Sequence, residues 1–546
     1  MSAKLIDRRD FVKTILMSVP ALTFDWSVFP VGVNAQTASP DAWDAVVIGS
    51  GLGGLTVAAA FARQGFRPLI LEQHTRAGGY ATSFKRPGGF EFDVSLHSTS
   101  VPEQDGRRYI PGFPEITEVE FVPHPSTFRG IFPDYDITVP QSDPAAFIAQ
   151  LKQLFPGETA GIDGVFADMR GIVSDLGKMQ QARGNIDYSK FPIEFPFMFK
   201  AYSRTWGQIV DGHITDPKLR AIINAQWGYY GLPPSKLASI YYAMPFIGYL
   251  ENGGYYPKGR SQTISDAFVR FIEQHGGKVL LKTKVEAILT KEQAAYGVKT
   301  AEGKEYTGKV VISNANAYDT FHKLLPQGEC PAEYLARLDK FAVSLSSFQV
   351  WLGLKTDLVG KLGLRDTEIF YEPGYDPEAS YQAAVDGRIG ETPAYALMLY
   401  DNLYPGYSPA GKNTVGIVIL MGYDYWKKYE TDYFQGKKDA YKTEKEHIAQ
   451  QLISQVEKTL MPGLHEAIEV VEIGTPLTNV RYTGNYRGAI YGWDQTLDNA
   501  MPNRLSQETP IQNLYLAGAW TQPGGGYGGV IQSGLSCFGT IMQKWG

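Results

Sequence analysis

The chain has 546 residues, of which 44% are hydrophobic and 20% are charged, with 58 glycines and 33 tyrosines. This length predicts two connected domains with large cores. A net charge of -6 without a basic stripe excludes binding to nucleic acid. Two cysteines, Cys330 and Cys537, exclude a disulfide framework and leave a single bridge open, and eight scattered histidines lack metal-ligand spacing, so we predict no metal site.

The N-terminal segment 1–35 resembles a twin-arginine export signal. Arg8 and Arg9 precede a short apolar run from Thr14 to Phe24, and small residues end at Ala35, after which we predict cleavage. The alternative is a frayed N-terminus with one amphipathic turn. No later segment has the roughly 18 uninterrupted apolar residues of a membrane helix. We therefore expect a periplasmic protein that is soluble or bound peripherally to the membrane.

The next segment has the pattern of a nucleotide-binding βαβ unit. A buried apolar strand, Ala45 to Ile48, is followed by Gly49, Gly51 and Gly54 in the spacing GxGxxG. Such glycines allow a tight turn, a close approach of the backbone to pyrophosphate, and close packing of the helix on the strand. The helix is predicted over Leu55 to Gln64, with its N-terminal dipole facing the phosphates.

A second strand, Pro68 to Leu71, ends at Glu72, about 20 residues after the first glycine, where such folds place an acidic residue. A carboxylate here accepts hydrogen bonds from both ribose hydroxyls, and its charge repels a 2′-phosphate. Gly78 and Gly79 follow, a pair that lets the backbone run close to a large ligand. The pattern predicts a dinucleotide without a 2′-phosphate.

A second glycine-rich unit lies near the C-terminus. It is predicted as a strand from Leu514 to Leu516, a loop from Gly518 to Gly529, and a helix from Val530 onward. A helix N-terminus after glycines is suited to a polar or anionic ligand edge.

With these motifs the chain resembles the family of phytoene desaturases, carotenoid isomerases and retinol saturases, which is related to the flavin amine oxidases. The resemblance covers nearly the whole chain after the predicted signal. It rests on seven segments, which read "VIGSGLGGL", "AGGYATSF", "FEFDVSLH", "GGYYPKGRSQTISDAF", "VISNANAYDT", "TPLTNVRYTGNYRGAIYGW" and "NLYLAGAWTQPGGGYGGVIQSG".

The resemblance implies non-covalent FAD and assigns roles to individual residues. Gly49, Gly51 and Gly54, with Gly53 between them, would receive the pyrophosphate, and Glu72 the ribose. Further FAD contacts would come from Gly78, Gly79, Val285, Gly518, Gly529 and Val530. One departure is Arg260, where relatives often have glycine, and a bulky cation there is expected to alter the substrate mouth.

The implied fold is α/β, with a Rossmann-type FAD-binding domain assembled from 41–131, 254–320 and 475–546. An α+β substrate domain is predicted from 132–253 and 321–474. Two stretches there are rich in aromatic residues, one beginning at Phe191 and one at Gln226. For the region they predict an apolar tunnel with aromatic walls, whereas for any single residue an aromatic helical core is the favoured alternative.

The predicted reaction is desaturation of an isoprenoid or carotenoid-like substrate by hydride transfer to flavin, with quinone or oxygen as electron acceptor. Polar candidates near the flavin are His97, Lys258, Trp520 and Tyr527, each of which has a purely structural role as its alternative. The alternative functions are a redox-neutral polyene isomerase, an amine oxidase, and a prenyl or lipid carrier without chemistry. Because a carrier has no need of an intact phosphate site, the glycines and Glu72 favour an enzyme.

Overall fold

The computed structural model describes Trp26 and residues 43–182, 186–187, 189–500 and 503–545. The predicted export signal therefore lies outside the described residues except for Trp26. The indole of Trp26 donates from Nε1 to the Gly112 carbonyl at 2.9 Å, and its ring lies 5.7 Å from that of Phe113. The Arg63 guanidinium stands 4.0 Å from the indole centroid. One residue of the predicted signal thus packs on the folded protein.

A seven-stranded sheet carries the nucleotide-binding motifs. Its central strand, Trp43–Ile48, is an almost wholly buried apolar run, as expected for a parallel strand covered on both faces. That strand pairs in parallel with Pro68–Leu71 on one side and Glu305–Ser313 on the other. In spatial order the strands are Lys278–Leu280, Pro68–Leu71, Trp43–Ile48, Glu305–Ser313, Ala294–Thr300 and Val285–Lys291, with Leu514–Leu516 pairing in parallel with Glu305–Ser313.

A second seven-stranded sheet forms the other half of the molecule and is mainly antiparallel. In spatial order its strands are Ile468–Gly474, Ser346–Leu354, Asn413–Met421, Tyr395–Met398, Glu368–Tyr371, Phe128–Ile131 and Asp136–Val139. Phe128–Ile131, which the predicted division assigned to the first domain, pairs in parallel with Glu368–Tyr371. The second sheet therefore includes a strand that precedes the predicted domain boundary at residue 132.

Helices pack on both sheets, and separate two-stranded pairs accompany them. The α-helices are Leu52–Arg63, Pro144–Leu154, Thr159–Gln181, Phe191–Glu194, Pro196–Ala201, Trp206–Asp211, Pro217–Ile223, Ser239–Asn252, Gln262–Gln274, Ala317–Asp319, Ala332–Leu338, Leu358–Lys361, Pro377–Asp386, Tyr423–Trp426, Glu430–Phe434, Asp439–Thr459, Leu464–Ala467, Pro476–Thr483 and Tyr527–Trp545. The short strands are Ser83–Lys85, Glu91–Asp93, Glu103–Gln104, Arg107–Arg108, Phe121–Pro123 and Tyr255–Pro257. In the described part of the chain, no helix combines the length and apolar character needed to cross a membrane.

The two ends of the chain meet where Leu52–Arg63 packs on Tyr527–Trp545. Their backbones approach so closely that a Cβ at Gly534 would lie 2.6 Å from the carbonyl oxygen of Gly53. Farther along, the ring of Phe61 meets that of Phe538 edge to face at 5.2 Å. This pairing brings the two predicted glycine motifs to one edge of the first sheet.

The predicted strands are observed, but both glycine-motif helices begin three residues earlier than predicted, at Leu52 and Tyr527. The first turns are therefore built from the glycine loops themselves, which places those backbone N–H groups at the helix ends. Cys330 and Cys537 are both buried and free, so the bridge left open by the sequence is not formed.

Candidate dinucleotide and substrate site

A single cavity of about 1600 Å³ extends from the edge of the first sheet to the face of the second. Typical small-molecule pockets have volumes of about 300–1,000 Å³. The cavity therefore has room for a dinucleotide and a second, bulky molecule.

The first glycine motif forms one end of this cavity. Gly49, Gly51 and Gly53 line it, and the helix that follows has Gly51 as its N-cap with no side-chain hydrogen bond to the first turn. The first N–H groups of that helix are therefore available to an anion. Gly54 lies behind the lining, where a Cβ would overlap the Gly49 carbonyl oxygen, so its role is to pack the helix on the strand instead of contacting pyrophosphate.

Asn314 is the residue beneath these glycines, and sequence reasoning missed it. Its backbone N–H donates to the Ile48 carbonyl at 2.9 Å. A Cβ at Gly51 or at Gly518 would lie 2.7 or 2.6 Å from its side-chain amide. Asn314 sits inside the segment "VISNANAYDT", which contributed to the family resemblance, but no spacing rule distinguishes this asparagine from its neighbours.

Glu72 closes this end of the cavity, as predicted. One carboxylate oxygen accepts from the backbone N–H and the hydroxyl of Ser50, at 2.8 and 2.7 Å. The other oxygen accepts from the backbone N–H of His74 at 2.8 Å. These bonds hold the carboxylate in place, and the oxygen that accepts from His74 keeps one lone pair for a ribose hydroxyl.

The remaining predicted FAD contacts also line the cavity, namely Gly78, Gly79, Val285, Gly518, Gly529 and Val530. Gly53 and Gly518 face each other so closely that a Cβ at Gly53 would lie 2.7 Å from the Cα of Gly518. The N-terminal and C-terminal motifs therefore form one narrow cradle that only glycines permit, and its shape fits a dinucleotide.

Buried Arg504 holds the C-terminal loop of this cradle, a role that the sequence did not reveal. Its guanidinium donates to the carbonyls of Thr521 at 3.1 Å, Trp493 at 3.2 Å and Tyr491 at 3.2 Å, and also to that of Ala519. Burial lowers the pKa of Arg504, partly offset by Tyr241 and Asp494. The buried guanidinium is stabilised because its N–H donors pair with these carbonyl oxygens of the loop.

The two aromatic stretches predicted to line a tunnel lie in different places: one lines the cavity and the other packs in a helical core. From the later one, Trp227, Tyr229, Tyr230, Tyr241 and Tyr249 line the cavity. The earlier one, around Phe191 and Phe195, packs into the helical core and contributes no wall residue. For that stretch the tunnel prediction is wrong, because its own helix Pro196–Ala201 packs on helix Thr159–Gln181, where a Cβ at Gly171 would lie 2.2 Å from the Phe197 ring.

Three of the four polar candidates line the cavity. The Nδ1 of His97 lies 2.9 Å from the Tyr400 hydroxyl, and burial lowers the pKa of His97 to about 4. Trp520 donates to the Asn485 side chain at 2.9 Å, and Tyr527 donates to the Ser95 carbonyl at 2.9 Å.

Lys258, the fourth candidate, does not line the cavity. Its half-exposed ammonium pairs with Glu120 at 2.9 Å. Its placement at the site is therefore wrong.

One buried and one half-buried carboxyl group, Glu368 and Glu372, accompany the aromatic wall. Glu372 lines the cavity and accepts from the Trp227 indole at 3.3 Å, and burial raises its pKa to about 7. Glu368 accepts from the Tyr229 hydroxyl at 2.9 Å, and burial raises its pKa to about 8. Glu368 is therefore mainly protonated near neutral pH. Sequence patterns did not single out either group.

Arg260 lies away from the substrate mouth. It has φ +76, a conformation that glycine adopts freely, and its side chain is buried. The guanidinium donates to the carbonyls of Glu91 and Tyr407, at 3.1 and 2.7 Å, and lies 4.1 Å from the Tyr407 ring centroid. The expected effect on the mouth is wrong, because the cation points into a structural contact.

A family model described as flavin containing amine oxidoreductase matches residues 52–537. The chain belongs to this family. All-trans-retinol 13,14-reductase from Danio rerio is 28% identical over 92% of this chain and 87% of its own length. The chloroplastic prolycopene isomerase of Daucus carota is 27% identical over 92% of this chain and 80% of its own length.

A solved oxidoreductase from Methanosarcina mazei has the same fold. It covers 92% of this chain and all of its own, with 16% identity and a TM-score of 0.58. The predicted family and α/β fold are confirmed. The protein is an FAD-dependent oxidoreductase, and the glycine cradle with Glu72 has the form that FAD requires.

Proposed function

We propose that this flavoprotein acts on carbon–carbon bonds of an apolar isoprenoid or polyene substrate. The observation that carries the proposal is one continuous cavity, which joins the dinucleotide cradle to a chamber walled by tyrosines and tryptophan. The names of the relatives, a retinol reductase and a carotenoid isomerase, support a substrate of this class.

FAD, when bound, supplies a hydride acceptor at N5 of its ring. The chain contributes binding, orientation and the exclusion of water. Gly49, Gly51 and Gly53 would hold the pyrophosphate, Glu72 the ribose, and Gly529 with Val530 the ring. The aromatic wall around Tyr229 would orient the substrate in a dry environment, where hydride transfer competes well with side reactions.

Within this class we propose desaturation, with quinone or oxygen taking the electrons. The support is the predicted export, which would separate the protein from the cytoplasmic NAD(P)H pool. Redox-neutral isomerisation is the second candidate, favoured by the similarity to prolycopene isomerase.

Anaerobic mixing of the FAD-loaded protein with polyenes, followed by mass spectrometry of the products, tests this function. Bleaching of the flavin together with loss of two hydrogens from the substrate is the expected result. An isomer of unchanged mass would replace desaturation by isomerisation. In a parallel assay in air, release of hydrogen peroxide with amines, together with no response to any polyene, would contradict the proposal and favour an amine oxidase.

We also propose export by the twin-arginine route with cleavage after Ala35, and peripheral contact with the membrane from which an apolar substrate would be drawn. Arg8, Arg9 and the apolar run support export, whereas the packing of Trp26 on Phe113 would be lost on cleavage. The N-terminal sequence of the exported protein decides: Gln36 as first residue is expected, and a retained Trp26 would contradict cleavage there.

A further inference from the structure

The short segment Ser95–Ser98 crosses the cavity wall between the dinucleotide and aromatic ends. Three tyrosines from distant parts of the chain donate their hydroxyl protons to its carbonyls. These bonds are Tyr527 to Ser95 at 2.9 Å, Tyr400 to Leu96 at 2.9 Å, and Tyr249 to Ser98 at 3.0 Å. The segment that carries His97 is therefore held on both sides of this residue.

The bond from Tyr400 also decides which nitrogen of His97 carries a proton. A tyrosine hydroxyl has one hydrogen, and that of Tyr400 goes to the Leu96 carbonyl. The 2.9 Å contact between the same hydroxyl oxygen and Nδ1 of His97 must then be donated by Nδ1–H. Because burial lowers the pKa of His97 to about 4, the ring is neutral, and its Nε2 is an unprotonated acceptor.

The Nε2 of His97 is presented to the cavity. The residue lines the cavity, and within the described residues only Nδ1 of its ring has a hydrogen-bond partner. The imidazole stacks on the Tyr229 ring, with centroids 5.2 Å apart and planes 6° from parallel. Tyr229 is itself fixed, because its hydroxyl donates to Glu368 at 2.9 Å.

The wall around His97 therefore offers an acceptor beside four tyrosine hydroxyls that are already engaged. The hydroxyls of Tyr229, Tyr249, Tyr400 and Tyr527 all donate to protein oxygens. We infer that His97 Nε2 is a recognition site for a hydroxyl group, so that the preferred substrate is an isoprenoid or polyene alcohol instead of a pure hydrocarbon. This inference rests on the proposed function, which requires only an apolar substrate.

The test compares a polyene alcohol with the hydrocarbon that has hydrogen in place of its hydroxyl, using the FAD-loaded protein. Substrate binding is followed by quenching of tryptophan fluorescence, and reaction by anaerobic bleaching of the flavin. One neutral hydrogen bond predicts roughly five- to tenfold tighter binding of the alcohol. His97→Leu removes the acceptor, so the two compounds should then bind equally.

Tyr400→Phe is the sharper variant, because it leaves the histidine in place but removes the group that keeps the proton on Nδ1. We expect the preference for the alcohol to weaken in this variant, because the proton can then move to Nε2 and only part of the population keeps Nε2 as the acceptor. His97→Gln, which restores an oxygen acceptor at a similar reach, should recover part of the preference. Tyr404→Phe is the matched control, since Tyr404 lies outside the cavity lining and its hydroxyl accepts from the Gly259 N–H at 2.9 Å.

Equal binding of alcohol and hydrocarbon by the unaltered protein, with bleaching by both, would overturn the hydroxyl site and leave the proposed function standing. A preference that survives both His97→Leu and Tyr400→Phe would also overturn it, because the discrimination would then arise elsewhere. Failure of both compounds to bind and to bleach the flavin would overturn the proposed function and the hydroxyl site together.

Discussion

The two ends of the cavity are built by opposite means. At the dinucleotide end glycines remove side chains where the two motifs meet, and Gly53 and Gly518 bring two backbones together so that N–H groups face the ligand. At the aromatic end side chains form the wall, and the hydroxyls of Tyr249, Tyr400 and Tyr229 donate to backbone carbonyls and Glu368. The contrast shows that one end selects a ligand by backbone shape and the other by the arrangement of polar atoms in an apolar wall.

The strongest test of this contrast is Gly54→Ala. The added methyl group would overlap the Gly49 carbonyl oxygen, which is backbone and cannot turn aside. We expect a loss of stability of about 1–3 kcal/mol and loss of most bound FAD. The ratio of flavin to protein absorbance and a thermal melt measure both effects. Gly157→Ala is the control, because no atom lies within 4 Å of a Cβ there. Retention of FAD by Gly54→Ala would contradict the conclusion that backbone shape selects the ligand at this end.

An intermediate effect is expected from Glu368→Gln at the aromatic end. Burial raises the pKa of Glu368 to about 8 from a usual 4.5. The unfolded chain therefore loses this proton at lower pH than the folded protein does, so the free energy of unfolding should fall as pH rises from about 4.5 to about 8. Glutamine does not titrate, and the variant should show a shallower decline.

Melting temperatures of the two proteins between about pH 5 and about pH 9 measure this difference. Exposed Glu333 provides the matched control as Glu333→Gln. Parallel pH profiles for Glu368→Gln and the unaltered protein would show that Glu368 is ionised in the fold.

The smallest effect is expected from Arg260→Gly. The substitution relieves the strain of φ +76 but removes two hydrogen bonds and the contact of the cation with the Tyr407 ring. The net result should be a loss of about 1–2 kcal/mol of stability, with FAD content and substrate preference unchanged. Chemical denaturation and a substrate panel measure these quantities. Altered substrate preference at unchanged stability would place Arg260 in the substrate path after all.

Much of the dinucleotide end could be predicted, because its signals are local. Gly49, Gly51 and Glu72 lie within one βαβ unit, and the turn, the helix start and the strand end each restrict residue type at a known spacing. Gly54 shows the limit of this reasoning, since the same motif contains glycines for ligand contact and for packing. Asn314 and Arg504 could not be found in this way, because they act on backbone that is distant in sequence.

For the aromatic end, the sequence predicted only that the region is rich in aromatic residues. It did not predict which of those residues line the cavity. Phe191 and Tyr229 lie in similar aromatic stretches, yet one is core and the other is cavity wall. Lys258 and His97 were equal candidates, and the structure separates them because one pairs with Glu120 at the surface while the other is buried beside Tyr400.

By itself, the sequence determined the family, the cofactor and the glycine cradle, because backbone conformation near a glycine depends on the residues immediately around it. Only the tertiary structure decided which tyrosines wall the cavity, which carboxyl group is buried enough to stay protonated, and which nitrogen of His97 carries its proton. Those properties depend on burial and on hydrogen-bond partners supplied by remote segments, and neither leaves a periodic signal along the chain.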